Sequence, residues 1–184
     1  ELLVRDARHR GREKAVRVQV RVDGFREAAI AERVDVDLGE RHKLDEAALG
    51  AWLEANVEGY AGSLTINQFK GGQSNPTYKI AAESGNYVLR RKPFGPLLPS
   101  AHAVDREYRV QAGMYKTGFP VARQYGLCTD DSVVGSWFYV MGMVDGRTIW
   151  NGAIPGASPE ERRAVYCEMF DVLAKLHNTD IEAA

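Results

Sequence analysis

The stretch Phe69-Lys70-Gly71-Gly72-Gln73-Ser74-Asn75-Pro76-Thr77-Tyr78-Lys79-Ile80-Ala81, continued by Ser84-Gly85-Asn86-Tyr87-Val88-Leu89-Arg90-Arg91-Lys92, decides how the 184-residue chain is read. A glycine-rich turn over residues 71–75 separates two short runs of strand character, and a third run, 87–90, ends in positive charge. Glycines let main-chain N–H groups come close to phosphate oxygens, because no side chain stands between them. Cations that could neutralise those phosphates follow in sequence. The pairing suggests a nucleotide site, although a glycine pair between strands also serves as a plain hairpin turn. On alternation Val88, Arg90 and Lys92 share one face of the third strand, with Tyr87, Leu89 and Arg91 on the other.

Outward from this stretch the elements alternate. Upstream, Asp45 caps a helix over residues 45–58 whose apolar residues Leu49, Trp52, Leu53 and Val57 fall on one side, with Gly59 and Gly62 as its stop. Residues 64–69 then read as a strand, followed by strands at 77–81 and 86–91 across a Ser84-Gly85-Asn86 turn, which makes an antiparallel meander. Pro93, Gly95, Pro96 and Pro99 form a stiff loop. A helix is expected from near Ser100 to Gly118-Phe119-Pro120, with Val104, Tyr108 and Tyr115 on one side and Glu107, Val110 and Met114 on another. Strands at 122–128 and 137–144 follow, separated by a turn at Thr129-Asp130-Asp131-Ser132. Ser158, Pro159 and Glu161 spell a capping box for a last helix with the apolar stripe Val165, Met169, Val172, Leu173 and Leu176. That stripe needs a partner: the sheet, another subunit, or a part of the protein outside this chain.

The fold class expected is therefore α+β, a five-stranded antiparallel sheet with a helix between strands three and four and a C-terminal helix. A content of 45% hydrophobic and 27% charged residues is that of an ordinary globular protein, and the absence of a long apolar run sets a membrane span aside, leaving a soluble, cytoplasmic protein as the expectation. The formal charge of −1 divides into +3 for residues 1–34 and −4 for the remainder. In the basic leader, residues 1–41, Val16, Val18, Val20 and Val22 alternate with polar residues as in a single strand. Its acids are interleaved and its one aromatic residue is Phe25, so a nucleic-acid arm is set aside. Cys128 and Cys167 match no metal or redox spacing.

Beside the glycine turn, two further groups could carry chemistry. A cation on the third strand could bind the α- and β-phosphates of a nucleotide, held by a helix glutamate, for which Glu107 is the candidate; the plainer reading is a surface ion pair worth little. The last strand, Trp137-Phe138-Tyr139-Val140-Met141, runs into Gly142-Met143-Val144-Asp145-Gly146, an extended linker whose free backbone groups suit an adenine edge.

With these parts in order, the motifs at 69–78, 87–93, 97–108 and 138–141 resemble the aminoglycoside phosphotransferase family, in the branch related to the kinase-like domains associated with acyl-CoA dehydrogenases. The resemblance covers residues 35–184. It implies a protein-kinase-like small lobe over residues 42–148 and a linker and first large-lobe helix over 149–184. It implies that Gly71, Gly72, Gln73, Ser74 and Asn75 cover the phosphates of ATP, that Arg90 stands where many relatives carry lysine, and that Glu107 is its partner. Met141 would stand at the back of the adenine pocket, with the backbone of Gly142 and Val144 on the base. Arginine is a larger, forked cation, so the phosphate geometry differs, and Lys92 on the same face could share the task.

The family also needs a His-Gly-Asp type loop, a following Asn and a metal-binding Asp, and none of these occurs in the 184 residues. His177-Asn178-Thr179-Asp180 closes a helix, and His102 reads as a packing residue. The expectation is a lobe that holds ATP, with Mg²⁺ ligands and catalytic residues outside it, no turnover on its own, and a small-molecule hydroxyl as the parent protein's acceptor. A non-catalytic nucleotide-sensing or protein-interaction module remains open, as does a homo-oligomer built on the valine strand and the last helix.

Overall fold

The computed structural model describes residues 44–69, 75–95, 101–146, 149–180 and 182. The basic leader with its alternating valines, the glycines and their neighbours at 70–74, and the proline loop at 96–100 lie outside the described residues. Helix α1 (Glu46–Asn56) starts where the sequence places it, with the Asp45 side chain accepting the Ala48 N–H at 3.0 Å. There follow β1 (Leu64–Gln68), β2 (Thr77–Ala82), β3 (Gly85–Arg91), α2 (Val104–Lys116), β4 (Gln124–Cys128), α3 (Asp131–Val134), β5 (Phe138–Gly142) and α4 (Pro159–His177). The fold is α+β, with one five-stranded antiparallel sheet in the order β1-β2-β3-β5-β4.

Register sorts the two faces of the sheet. Tyr78 opposes Leu89, and Leu89 opposes Val140, so these share a face with Ile80, Tyr87 and Phe138. That face packs on Leu49 and Leu53 of α1, both fully buried, and forms the hydrophobic core. The Trp52 ring meets Phe138 edge-on at 4.8 Å. Thr77 opposes Arg90, Arg90 opposes Tyr139, and Val88 opposes Met141, which places a largely polar row on the other face, towards α2. Neighbouring arginines thus go to opposite sides. Arg91 is fully buried with no carboxylate partner among the described residues: its Nε donates to the Tyr78 hydroxyl and its Nη1 to Ser136 Oγ, both at 3.3 Å, and its guanidinium lies 3.7 Å from the Phe94 ring centre.

Three sequence expectations change. Residues 129–132, read as a turn, include the start of α3: the Asp130 carboxylate caps it through the Ser132 N–H at 2.9 Å, and Gly135 closes it in the left-handed region. A single helical turn has too few residues to show a period. Helix α2 begins at Val104 rather than near Ser100, and Ala103 offers it no side-chain cap. Its expected Glu107/Val110/Met114 side is not a packed stripe, since Val110 is 59% exposed; the side that meets the sheet carries Val104, Glu107 and Gln111.

Helix α4 has the predicted capping box, with Ser158 Oγ accepting the Glu161 N–H at 3.2 Å and Glu161 Oε2 accepting the Ser158 N–H at 2.7 Å. It buries no residue; Met169, Phe170, Leu173 and Leu176 are all exposed, so the sheet is not the partner of its stripe. No helix among the described residues is long and apolar enough to cross a membrane.

Gly135 has φ 79°, and a Cβ there would stand 2.7 Å from Phe94 Cε1, the ring that covers Arg91. Gly135→Ala is expected to cost about 1–2 kcal/mol for the left-handed backbone alone, with a further cost for displacing Phe94. A urea unfolding midpoint equal to that of the parent chain would contradict this packing.

Candidate nucleotide site

The polar face of the sheet is organised by Glu107, which the first turn of α2 holds over β3 and β5. One carboxylate oxygen accepts the Asn75 side-chain amide at 2.9 Å. The other accepts Arg90 Nε at 2.8 Å and the Tyr139 hydroxyl at 3.1 Å. The ion pair is about two-thirds buried, and each of its charges is met by a second polar group. Arg90 Nη1 donates to Thr77 Oγ1 at 3.3 Å, and Thr77 Oγ1 donates to the Asn75 carbonyl at 3.1 Å. Asn75, Glu107, Arg90 and Thr77 therefore form a closed ring of hydrogen bonds that joins the chain ahead of β2 to β2, β3 and α2. Arg90 Nη2 has no partner among the described residues.

A second chain of polar groups braces the ring. Gln111 donates to the Tyr139 hydroxyl at 3.2 Å, and Gln124 on β4 donates to the Gln111 carbonyl oxygen at 3.2 Å. With Gln111 donating to it, the Tyr139 hydroxyl is left to donate its own hydrogen to Glu107, so the direction of the whole chain is set. Burial of Tyr139 pushes its pKa up to about 12, and the nearby Glu107 carboxylate adds to the rise, while the hydrogen bond from Gln111 and the charge of Arg90 oppose it.

Next to the ring lies an open cavity of about 410 Å³, lined among others by Asn75, Arg90, His102, Arg106 and Glu107. It adjoins a second open cavity of about 380 Å³, whose lining includes Lys92, Asp105, Arg106 and Arg109. Two cationic side chains on the first cavity, with a guanidinium fixed by its Nε, suit an oxyanion ligand such as a polyphosphate.

The expected site residues divide into groups. Asn75, Arg90 and Glu107 come together in the ring. Met141 lies on the same sheet face as Arg90, opposite Val88. Lys92 does not join them: its Nζ sits 3.9 Å from the centre of the Trp137 ring, and it lines the second cavity. At the linker the Gly142 N–H is already committed to the Arg123 carbonyl at 2.8 Å. Val144 is exposed, and its N–H meets no acceptor among the described residues. Gly71, Gly72, Gln73 and Ser74 lie outside the described residues. Among the described residues no group of three or more His, Cys, Asp or Glu is placed to hold a metal ion.

Sequence reasoning passed over three members of the site. Tyr139 reads from sequence as part of the adenine-side strand, and nothing in the pattern singles out Gln111, although it follows Glu107 by one helical turn. His102, read as a packing residue, has its Nδ1 2.7 Å from Asn75 Oδ1 and lines the cavity. Its φ of 56° is a conformation no sequence pattern announced.

Comparisons with known proteins bear on this geometry. The family model described as the phosphotransferase enzyme family matches residues 65–184. The chain is 42% identical over 155 residues to acyl-CoA dehydrogenase family member 11 of Rattus norvegicus, covering 82% of this chain and 20% of that protein. The Homo sapiens protein of the same name is 43% identical over 154 residues, with 80% and 20% covered. A crystal structure from Ralstonia eutropha, assigned as an aminoglycoside phosphotransferase, superposes with a TM-score of 0.66 at 45% identity, over 77% of this chain and 40% of that one. The chain thus spans about a fifth of the length of the curated relatives it matches.

The raised Tyr139 pKa has a consequence for stability. Below pH 10, the value expected in the unfolded chain, the protonated hydroxyl contributes its full stabilisation, which is lost as pH rises towards the folded-state value of about 12. Unfolding free energies measured from pH 8 to pH 11.5 should fall in the upper part of that range, and more gently in Tyr139→Phe. Equal slopes in the two proteins would contradict the placement of this hydroxyl.

Proposed function

The chain belongs to the phosphotransferase enzyme family, and from that premise we propose that it is the nucleotide-holding lobe of an ATP-dependent phosphotransferase that acts on a hydroxyl of a small molecule. The observation that carries the reading is the Arg90–Glu107 pair: a β3 cation clamped through Nε by a helix carboxylate, on the wall of an open cavity. Arg90 takes the α- and β-phosphates, using Nη2, the nitrogen that has no partner among the described residues. Glu107 sets the angle of the guanidinium, and Asn75 and Thr77 keep both from rotating away. The exposed linker offers the Val144 N–H to an adenine edge, and Met141 forms an apolar wall on the Arg90 side of the sheet.

When bound, ATP supplies the γ-phosphoryl group and its electrophilic phosphorus. The described residues orient the nucleotide and reduce the repulsion among its phosphates. They supply neither a base for the acceptor hydroxyl nor a ligand set for Mg²⁺, and the His-Gly-Asp loop of the family does not occur in the sequence. We therefore assign proton removal and metal binding to the longer protein, with residues 42–148 as the nucleotide lobe and 149–184 as the linker and first helix of the second lobe. The reading includes a cytoplasmic location, where ATP is abundant.

A second reading has one observation in its favour. The exposed apolar row of α4 suits a protein-interaction module that keeps the lobe without turnover.

Calorimetric titration with Mg-ATP checks the proposal. The 184-residue chain is expected to bind weakly and to release no ADP, and Arg90→Ala should lower the affinity about tenfold or more, the loss typical of a hydrogen bond to a charged group. Equal affinity in Arg90→Ala would remove Arg90 from the phosphate site. Metal-dependent phosphorylation by the chain alone would contradict the assignment of the chemistry to the longer protein.

A further inference from the structure

His102 stands two residues before α2 with a left-handed backbone, φ 56°, that a side chain with a Cβ adopts only at a cost in strain. The surrounding contacts show what holds it there. Its carbonyl accepts the Val104 N–H at 2.9 Å, and its Nδ1 lies 2.7 Å from Asn75 Oδ1. Asn75 is almost wholly buried, so its amide must be satisfied from within the protein.

Donor and acceptor roles in this chain are fixed from one end. A carboxylate only accepts, so the Asn75 atom 2.9 Å from Glu107 Oε1 is the nitrogen. The oxygen of the same amide then faces His102, and the ring nitrogen against it must carry hydrogen. His102 is therefore protonated on Nδ1. With the Asn75 amide held this way round, one Glu107 oxygen is occupied by Asn75, and the other holds Arg90 Nε and the Tyr139 hydroxyl. A reversed amide would set its oxygen against the carboxylate and loosen Arg90.

We propose that His102 is a positioning residue for the phosphates of the nucleotide: its Nδ1–H locks the Asn75 amide, and through Asn75 and Glu107 it fixes the Arg90 guanidinium at the cavity. The proposal deepens the nucleotide reading and rests on it. It assigns the strained backbone a purpose, since the left-handed turn brings a residue 27 positions away in sequence within reach of Asn75. The role needs a donor at the Nδ1 position and a residue that accepts positive φ. Asparagine meets both needs, because its Nδ2 takes the place of Nδ1–H and it enters the left-handed region more readily than most residues. Glycine keeps the backbone and loses the donor.

The test compares His102→Gly and His102→Asn with the parent chain, by NMR of the histidine ring nitrogens and the Asn75 side-chain amide and by titration with Mg-ATP. The expected spectrum of the parent has His102 in the Nδ1–H form. In His102→Gly the thermal midpoint should be kept or raised, because the strain is relieved, while the Asn75 amide signals shift and ATP affinity falls about threefold to tenfold, the range for one neutral hydrogen bond. His102→Asn should restore both the amide signals and most of the affinity. Parent-like affinity and amide signals in His102→Gly would overturn the proposal, as would an Nε2–H ring in the parent or a failure of asparagine to rescue. A parent chain that binds no ATP, with amide signals still governed by residue 102, would contradict the nucleotide reading and support the link to Asn75.

Discussion

The two oxygens of Glu107 receive hydrogen bonds from Asn75, Arg90 and Tyr139, and those donors come from the chain ahead of β2, from β3 and from β5. A carboxylate two-thirds buried would be costly without such partners, and a buried arginine or tyrosine hydroxyl would be costly without it. The polar face of the sheet is therefore settled as a unit. Helix α2 has to present Glu107 at one point, and β3 and β5 have to keep the register that sets Arg90 opposite Tyr139. That register follows in turn from the other face of the sheet, where slipping by one residue would turn Leu89 and Val140 away from α1.

The two faces divide the work between packing and binding. The apolar face, closed by α1, supplies the hydrophobic stabilisation that holds the strands. The face under α2 remains polar and opens on a cavity, and its order comes from directional bonds in place of close packing. Arg90 and Arg91, adjacent in sequence, show the contrast. Among the described residues, Arg91 is enclosed by Tyr78, Phe94 and Ser136 with no counter-ion, whereas Arg90 has a counter-ion and one nitrogen without a partner. A fixed cation at a cavity is the preorganisation that phosphate binding requires.

Much of this was legible in the sequence wherever the signal was local. Asp45 and the Ser158/Glu161 box act within one helical turn, so their residue types announce the helix starts. Alternation along β3 separated Arg90 from Arg91, because a strand has only two sides. Helix periodicity and the order of motifs both point to Glu107 as the partner of Arg90, but the periodic argument takes Glu107 as the acid on an apolar Val110/Met114 side, and that side leaves Val110 in solvent. What stayed hidden depends on distant contacts or on backbone geometry. The bond between His102 and Asn75 crosses 27 positions and needs a positive φ at a residue that is not glycine. The separation of Lys92 from Arg90 depends on Trp137, which attracts the ammonium from a neighbouring segment.

The chain belongs to the phosphotransferase enzyme family, and the ring around Glu107 is where the proposed nucleotide reading meets this sequence. The most direct measurement is a crystal structure of the chain with a non-hydrolysable ATP analogue. The account predicts phosphate oxygens within hydrogen-bond distance of Arg90, the Arg90–Glu107 pair intact, and the base against the linker at Val144. Phosphates bound at Lys92 and Arg109 instead, with Arg90 untouched, would contradict it.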